Sequence, residues 1–293
     1  MNVNPTGCYF PGQKRIALKW MVAAIGMSLP AAAMASKYIV PFDSVEWQYH
    51  QQADQCILQS ADPRTGFIVK FILVAAQPLS IKVEKKGFRD LPASVLVETT
   101  EPVWGGVNHY STTTISNLRQ QGSALIGNKG VSSMLDDMAH GAWFGINMID
   151  SGVYFPTTNF IHAYEQFTQC RFDLPPVNFQ HARQVELLFQ QGVVGVNDNQ
   201  KQTIKDISSL VKKDPEIIKI LIDGYTDNLG DPVSNLQLSK QRGSDVAQWF
   251  IANGVSKKMI EIRGHGDRYP KYDNKTVEGR DKNRRVEIRL VRQ

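Results

Sequence analysis

An aspartate and an arginine, Asp227 and Arg242, are the two side chains whose types and placement best suit a chemical site. Asp227 follows residues 217–222, an apolar run of strand length, and Arg242 falls within the helical pattern after the next turn. At the mouth of one cleft, the arginine could hold a ligand's carboxylate in a bidentate pair while the aspartate holds its ammonium. The pair could equally be a structural ion pair, and the spacing alone leaves both interpretations open.

A strand, a turn and a helix must position this pair. The turn is marked by small and flexible residues at Gly224, Asn228 and Gly230. Asp231 and Pro232 predict the start of the helix, because aspartate is a favourable cap and proline is tolerated at the first helical position. Asn253-Gly254 predicts its end. Arg242 lies on the apolar-leaning face of this helix, so it should either extend to solvent or hold a carboxylate.

The residues around the pair resemble the peptidoglycan-binding domain shared by OmpA, Pal and MotB. The matching positions, in chain order, are Tyr225-Thr226-Asp227, Asn235, Leu238-Ser239, Arg242, Gly264-His265-Gly266, Pro270, Asn274-Lys275-Thr276, Gly279-Arg280 and Asn283-Arg284-Arg285-Val286-Glu287. The family often has alanine after the arginine; Gly243 stands there in this chain, which lowers helix stability by about 1 kcal/mol and leaves the ligand contacts alone.

The resemblance implies a role for each matching side chain. Asp227 and Arg242 are expected to grip the diaminopimelate of the cell-wall stem peptide. The other residues expected at the peptidoglycan-binding cleft are Thr226, Asn235, Leu238, Arg284 and Arg285. One of the last two arginines could instead pair with a structural carboxylate such as Asp223.

Other chemistries fit the same stretch less well. A calcium loop counted from Asp227 would place Leu238 where glutamate is needed. Ser239 and His265 lack a nucleophile elbow and an orienting acid, and a histidine between two glycines is typical of a loop, so we expect no enzyme. The charge is only +5 and forms no basic stripe with interleaved aromatics, which argues against nucleic acid. We predict no metal and no cofactor.

Residues 1–35 predict a secretory signal peptide. Lys14, Arg15 and Lys19 precede an apolar, small-residue-rich run at residues 20–34, which is short for a bilayer span. Ala33-Met34-Ala35 fits a cleavage site that would leave Ser36 first, with residues 31–33 as a close alternative. An uncleaved anchor and a start downstream of Met1 remain open.

Export determines how we interpret the cysteines. Removal of the signal would leave Cys56 and Cys170, which we expect to pair in an oxidising periplasm. Two buried free thiols are the alternative. A bridge would tie the start of the first domain to its end.

The element pattern predicts an α+β protein of two domains: a β-rich domain at residues 36–174, a Pro-containing linker at 175–183, and a sandwich of helices on a mixed sheet at 184–293. The resemblance implies that the second domain is OmpA-like and that the first is a docking domain. In the first domain we predict strands at 45–51, 67–75, 79–85, 94–99 and 164–172, and a short helix near 133–138. In the second we predict strands at 185–189, 217–222, 259–264 and 286–291, a helix at 202–213, and a long loop before the last strand. Four aromatic residues are predicted to be core: Trp104, Trp143, Phe144 and Tyr154.

The order of signal, β-rich domain with one cysteine pair and wall-binding domain resembles the T-ring proteins of the sodium-driven polar flagellar motor. This implies a periplasmic, non-enzymatic protein whose first domain docks onto the flagellar basal body and MotX. Its second domain would hold peptidoglycan and help retain the PomA–PomB stator. An OmpA/Pal-like envelope-stability protein without a motor role is the alternative, and a wall-cleaving enzyme is a third class.

Overall fold

The computed structural model describes residues 36–87, 91, 95–104 and 112–293. The predicted signal peptide at residues 1–35 lies outside this part of the chain. Within the described residues, no helix is both long enough and apolar enough to cross a membrane.

Two sheets form the first half of the described chain. One has the strand order β1-β11-β10-β6-β7 and the other has the order β2-β3-β4-β5-β9-β8. The strands are β1 Ser36–Ile39, β2 Gln48–Gln52, β3 Gln55–Ala61, β4 Phe67–Val74, β5 Ser80–Lys85, β6 Leu96–Thr100, β7 Thr114–Ile115, β8 Arg119–Gln121, β9 Ala124–Gly127, β10 Trp143–Met148 and β11 Ser151–Phe155. Buried and less buried residues alternate along β3 and β4, as expected for strands with one face on a core. The sheets meet where the rings of Phe71 in β4 and Phe144 in β10 lie 5.9 Å apart in an edge contact.

Two helices complete this half: α1 Val131–Ala139, as predicted, and α2 Phe160–Asp173. The predicted strand at 164–172 is therefore wrong. The buried residues of this segment are Phe160, Ala163, Phe167 and Cys170, and their spacing of three, four and three is the period of a helix that packs one face. The aromatic residues of the segment suit a strand by composition, and only their spacing indicates the helix.

The disulfide prediction is confirmed, because Cys56 of β3 is bonded to Cys170 of α2. Both cysteines are buried in the apolar cluster of this half. The bridge therefore fastens α2 to the sheet from inside the core. Trp143, Phe144 and Tyr154 are buried as predicted, whereas Trp104 is 66% exposed and does not belong to the core.

The second half is one mixed sheet with helices packed on it, which confirms the predicted fold class. Its elements are β12 Gln184–Leu188, α4 Asp198–Lys213, β13 Ile217–Tyr225, α5 Pro232–Ala252, β14 Ile260–Gly266, α6 Val277–Asn283 and β15 Arg285–Arg292, with α3 Phe179–Ala182 ahead of them. The strand order is β12-β15-β13-β14, with β13 parallel to β14 and the other pairs antiparallel. A second apolar cluster includes Ile220 and Ile222 of β13, Ile204 of α4 and Phe250 of α5, so it lies between sheet and helices.

Local signals account for most element boundaries here. Asp231 accepts from the backbone N–H of Ser234 at 2.9 Å and Gly254 has φ of 86°, so α5 begins and ends as predicted. A capping box formed by Asn197 and Gln200 starts α4 four residues before the predicted position 202. The predicted long loop contains α6, and His265 lies in strand β14 instead of a loop.

The predicted linker at 175–183 contains α3, and this short helix is tied to the first half. The side chain of Asn178 donates to the carbonyl of Ala75 at 2.9 Å, and Asp54 accepts from the backbone N–H of Phe179 at 2.8 Å. The segment between the two apolar clusters is thus held by specific polar contacts.

Gly224 sets how closely α5 approaches β13. A Cβ at this position would lie 2.1 Å from the backbone oxygen of Ser239. We expect Gly224→Ala to lower the free energy of unfolding by about 3 kcal/mol, because helix and strand must separate. Urea unfolding measures this change. Gly195→Ala is the control, because a Cβ at Gly195 would meet nothing within 4 Å, and equal stability of the two variants would contradict the close-packing argument.

Candidate functional site

The candidate site lies at the carboxyl end of β13, where the chain turns back into α5. The backbone N–H of Thr226 donates to the carbonyl of Gly266 at 2.9 Å, and the N–H of Gly266 donates to the Ser239 hydroxyl at 3.0 Å. These bonds join β13, β14 and α5 at one point. They fix the position of Asp227, the next residue along the chain.

Asn235 in the first turns of α5 holds the turn that carries Asp227. Its amide donates to the carbonyl of Leu229 at 3.0 Å and to that of Asp227 at 3.4 Å. One carboxylate oxygen of Asp227 accepts from the backbone N–H of Leu229 at 3.1 Å. Asn235 is thus a positioning residue for the aspartate.

Asp227 is only 4% exposed and pairs with Arg284. The guanidinium Nη1 of Arg284 donates to Oδ2 of Asp227 at 2.7 Å. Arg284 also bonds Asp281 and the carbonyl of Phe189. Burial lowers the pKa of Arg284, but the hydrogen bonds to Asp227 and Asp281 outweigh it and raise that pKa above its usual value.

Arg242 is completely buried, at 0% exposure, and its hydrogen-bond acceptors within the described chain are all backbone carbonyls. Nε donates to the carbonyl of Val193 at 2.7 Å, Nη2 to that of Gln190 at 3.0 Å and Nη1 to that of Tyr225 at 3.4 Å. The guanidinium carbon lies 5.1 Å from the ring centroid of Phe189. The expectation that this arginine extends to solvent is therefore wrong, and its partners among the described residues are carbonyls and not a carboxylate.

The pKa of Arg242 is lowered to about 10, chiefly by burial and in addition by the neighbouring Arg284, while Asp227 opposes the shift. Asp227 and Arg242 therefore interact electrostatically, although the ion pair of Asp227 is with Arg284 and not with Arg242. A buried cation with only neutral acceptors has unused capacity for an anionic partner.

The other predicted site residues divide into two groups. Thr226 is buried beside Asp227, and its hydroxyl has no hydrogen-bond partner among the residues that the structure describes. Leu238 is half-buried on α5. Arg285 stands apart, because it pairs with Glu287 at 2.7 Å and lies 3.9 Å over the ring of Tyr225. The structure brings together Asp227, Asn235, Arg242 and Arg284, and it does not place Arg285 with them.

Sequence reasoning missed the groups that hold Arg242, namely the carbonyls of Gln190 and Val193. Every residue has a carbonyl, so residue type gives no signal for such a partner. Gly192 and Gly195 indicate an irregular segment after β12, but they do not identify which carbonyls bind Arg242.

A second charged cluster surrounds Asp223 on the sheet face opposite α5. Arg263 donates to its carboxylate at 2.8 Å, and Nε2 of His265 lies 2.8 Å from it. Arg289 is 3.8 Å away, and the group lines a cavity of about 300 Å³. Neither Arg284 nor Arg285 pairs with Asp223, whose partners come from β14 and from Arg289, but Arg285 does pair with another carboxylate of the sheet, Glu287. Within the described residues, no group of histidine, cysteine and acidic side chains is placed to hold a metal ion.

Asp223 should make folding stability sensitive to acid. Burial raises its pKa, but the hydrogen bonds from Arg263 and His265 outweigh burial and leave the pKa below its ordinary value. Its stabilisation is therefore present above the unfolded-state pKa of about 4 and is lost as the pH falls through the folded-state value.

We expect Asp223→Asn to be less stable than wild type at pH 7, with a difference that shrinks below about pH 4, where the wild-type carboxyl also becomes neutral. Denaturant unfolding across pH measures this, with the exposed Asp43→Asn as control. A difference that stays constant with pH would contradict the assignment.

Comparisons with known proteins agree with the division of the chain into a first and a second half. The OmpA family matches residues 188–284, and the MotY N-terminal domain matches residues 38–176. Outer-membrane lipoprotein YfiB of Pseudomonas aeruginosa is 36% identical over 117 residues, which cover 40% of this chain and 69% of that protein. The chain therefore belongs to the OmpA family.

The match of the first half to the MotY N-terminal domain directs attention to proteins that have both domains. Sodium-type flagellar protein MotY of Vibrio parahaemolyticus is 23% identical over 289 residues, or 94% of this chain and 98% of that protein. The chain thus has the domain combination of MotY. Among solved structures, the C-terminal domain of Helicobacter pylori MotB is 25% identical with a TM-score of 0.35, covering 37% of this chain and 85% of that one.

Proposed function

We propose that this protein is a non-enzymatic anchor that binds peptidoglycan through the site of Asp227 and Arg242 and serves in a flagellar motor. The observation that carries the proposal is a buried guanidinium, Arg242, that donates to the carbonyl of Tyr225, two residues before the buried carboxylate of Asp227, in a domain of the OmpA family. Residues 184–293 would bind the wall, residues 36–174 would dock, and residues 175–183 would connect them.

The chemistry of the pair suits diaminopimelate. The free end of this amino acid carries an ammonium and a carboxylate on one carbon, so it needs an anion and a cation at short range. Asp227 supplies the anion and Arg242 the cation, while Asn235 holds the turn between them. A planar guanidinium can bind the carboxylate through two parallel hydrogen bonds, which adds directional selectivity to charge.

The finer proposal is a periplasmic role at the basal body of the sodium-driven polar motor. The domain order and the similarity to MotY over 94% of the chain support it. In this role the first domain contacts the basal body and MotX as part of the T ring. The second domain holds the wall and helps retain the PomA–PomB stator.

Sedimentation with purified insoluble peptidoglycan tests the central claim. We expect the purified protein to pellet with the wall, Asp227→Asn to pellet less, and no soluble muropeptides to appear. The neutral amide keeps the shape of the side chain but cannot balance an ammonium. If wild type remains in the supernatant like an inert control protein, the proposal fails. Release of muropeptides would show an enzyme instead.

An envelope-stability role is the second candidate, and the similarity to an outer-membrane lipoprotein at 36% identity favours it. Deletion of the gene distinguishes the two. A motor component predicts loss of swimming with an intact envelope. An envelope protein predicts leakage or blebbing.

A further inference from the structure

Both charged groups of the candidate site already have partners that resemble parts of the proposed ligand. The guanidinium of Arg242 is bonded to the carbonyl oxygens of Gln190 and Val193, where a ligand carboxylate would bind. The carboxylate of Asp227 is bonded to the guanidinium of Arg284, where a ligand ammonium would bind. With Arg242 fully buried and Asp227 at 4% exposure, a ligand cannot reach either group unless these partners move.

The carbonyls on Arg242 belong to a surface loop, residues 190–196, that follows β12. Within the loop, the N–H of Val193 donates to the carbonyl of Gln190 at 3.2 Å. Its anchors are side chains of α5: Arg242 holds two carbonyls, and Asp245 accepts from the N–H of Val196 at 2.9 Å. Val193 is 41% exposed, so the loop separates Arg242 from solvent.

We infer that the 190–196 loop is a gate over the site, and that peptidoglycan binds by displacing its carbonyls from Arg242 and Arg284 from Asp227. This inference rests on the proposed function. A carboxylate is a stronger partner for a buried guanidinium than a neutral carbonyl is, so the exchange favours the ligand. Arg242 has hydrogen-bond partners in both states, which avoids the penalty of an unsatisfied buried cation.

A gate has a measurable consequence for affinity. When only a fraction of the molecules is open, the apparent Kd is the intrinsic Kd divided by that fraction. A change that weakens the closed loop without touching Asp227, Arg242 or Arg284 should therefore tighten binding. A loop that is merely structural predicts unchanged or weaker binding for the same change.

Two variants weaken the closed loop by independent means. Asp245→Ala removes the acceptor for the Val196 N–H. Gly192→Ala strains the loop backbone, because Gly192 has φ of 70° and a Cβ there would meet nothing within 4 Å. Gly122→Ala is a matched control: it has φ of 61°, equally open surroundings, and lies in the turn between β8 and β9. Circular dichroism and thermal melting verify that each variant is folded.

The experiment titrates the full purified chain with a soluble diaminopimelate-containing muropeptide and follows hydrogen exchange of the 190–196 amides. We expect a Kd about tenfold lower for Asp245→Ala than for wild type, a smaller decrease for Gly192→Ala and none for Gly122→Ala. Exchange at Val193 and Val196 should become faster when the muropeptide binds.

The outcomes separate the gate from the proposed function. Binding by Asp245→Ala with none by wild type supports the gate most strongly. Binding by wild type with equal affinity in all variants and unchanged loop exchange overturns the gate and leaves the proposed function standing. Absence of binding by wild type and by both loop variants overturns both.

Discussion

Arg242→Lys should reduce the binding of the protein to peptidoglycan by about ten- to a hundredfold, which corresponds to about 1.5–3 kcal/mol for a hydrogen bond to a charged group. Lysine keeps the positive charge but presents a point charge on a flexible stem, so it cannot make two parallel bonds to a carboxylate. The loss therefore reports the geometry of the guanidinium and not the charge alone.

Because Arg242 is buried, the choice of substitution and of the control variant matters. Truncation to alanine would leave a cavity and the carbonyls of Gln190, Val193 and Tyr225 without their donor, so a loss of binding could follow from a loss of fold. Lysine still donates to one or two of these carbonyls, so the melting temperature should fall only slightly. Arg268→Lys, at an exposed position of the same domain, is the matched control and should bind like wild type.

A binding isotherm with the soluble muropeptide, measured together with a thermal melt, checks this prediction. Wild-type affinity in a folded Arg242→Lys protein would show that the fork geometry is not used. In that case the bidentate pairing proposed for Arg242 would be wrong, and any contribution of this residue to binding would come from its charge alone.

Reduction of the Cys56–Cys170 bond should lower the free energy of unfolding of the first half of the chain by about 2–5 kcal/mol. The bond joins positions separated by 114 residues, and in the chain-entropy description a loop of this length limits the unfolded chain strongly. The bond also fastens α2 to β3 within the core. Its loss would therefore release the helix as well as the chain.

Calorimetry with and without reductant measures this effect. We expect a lower transition temperature for the first apolar cluster, while a transition assigned to the second cluster, which contains no cysteine, stays where it is. The double variant Cys56→Ala, Cys170→Ala is the control, because reductant should leave its melting unchanged. An unchanged wild-type melt, with reduction verified by mass, would contradict the prediction.

The parts of the fold that were predictable are those encoded by neighbouring residues. Helix α5 could be located because Asp231, Pro232 and Gly254 act on the chain within one turn of their own positions. The strands with clear alternation, β4 and β5, were found for the same reason. Helix α2 was missed because its aromatic residues suit a strand by composition, and only their spacing indicates a helix.

The candidate site was predictable in its residues and not in their pairing. Asp227, Asn235, Arg242 and Arg284 stand close together, as the resemblance implied. The pairing of Asp227 with Arg284 and the capture of Arg242 by backbone carbonyls depend on how β12, its following loop and β15 reach α5. Contacts of this kind are set by tertiary packing and leave no pattern along the chain.

The direction of the strands has a mechanical consequence. Strand β12 begins next to α3, which is tied to the first half, and leads at its other end into the loop on Arg242. Strand β15 begins beside Arg284 and ends at Arg292, whose guanidinium carbon lies 3.9 Å from the ring centroid of Phe179 in α3. A force that pulls the site away from α3 therefore acts parallel to both strands. The hydrogen bonds between the two strands are perpendicular to the strands and so to the force. All of the bonds between β12 and β15 would then bear tension together in shear, so this domain is oriented to carry load without unzipping.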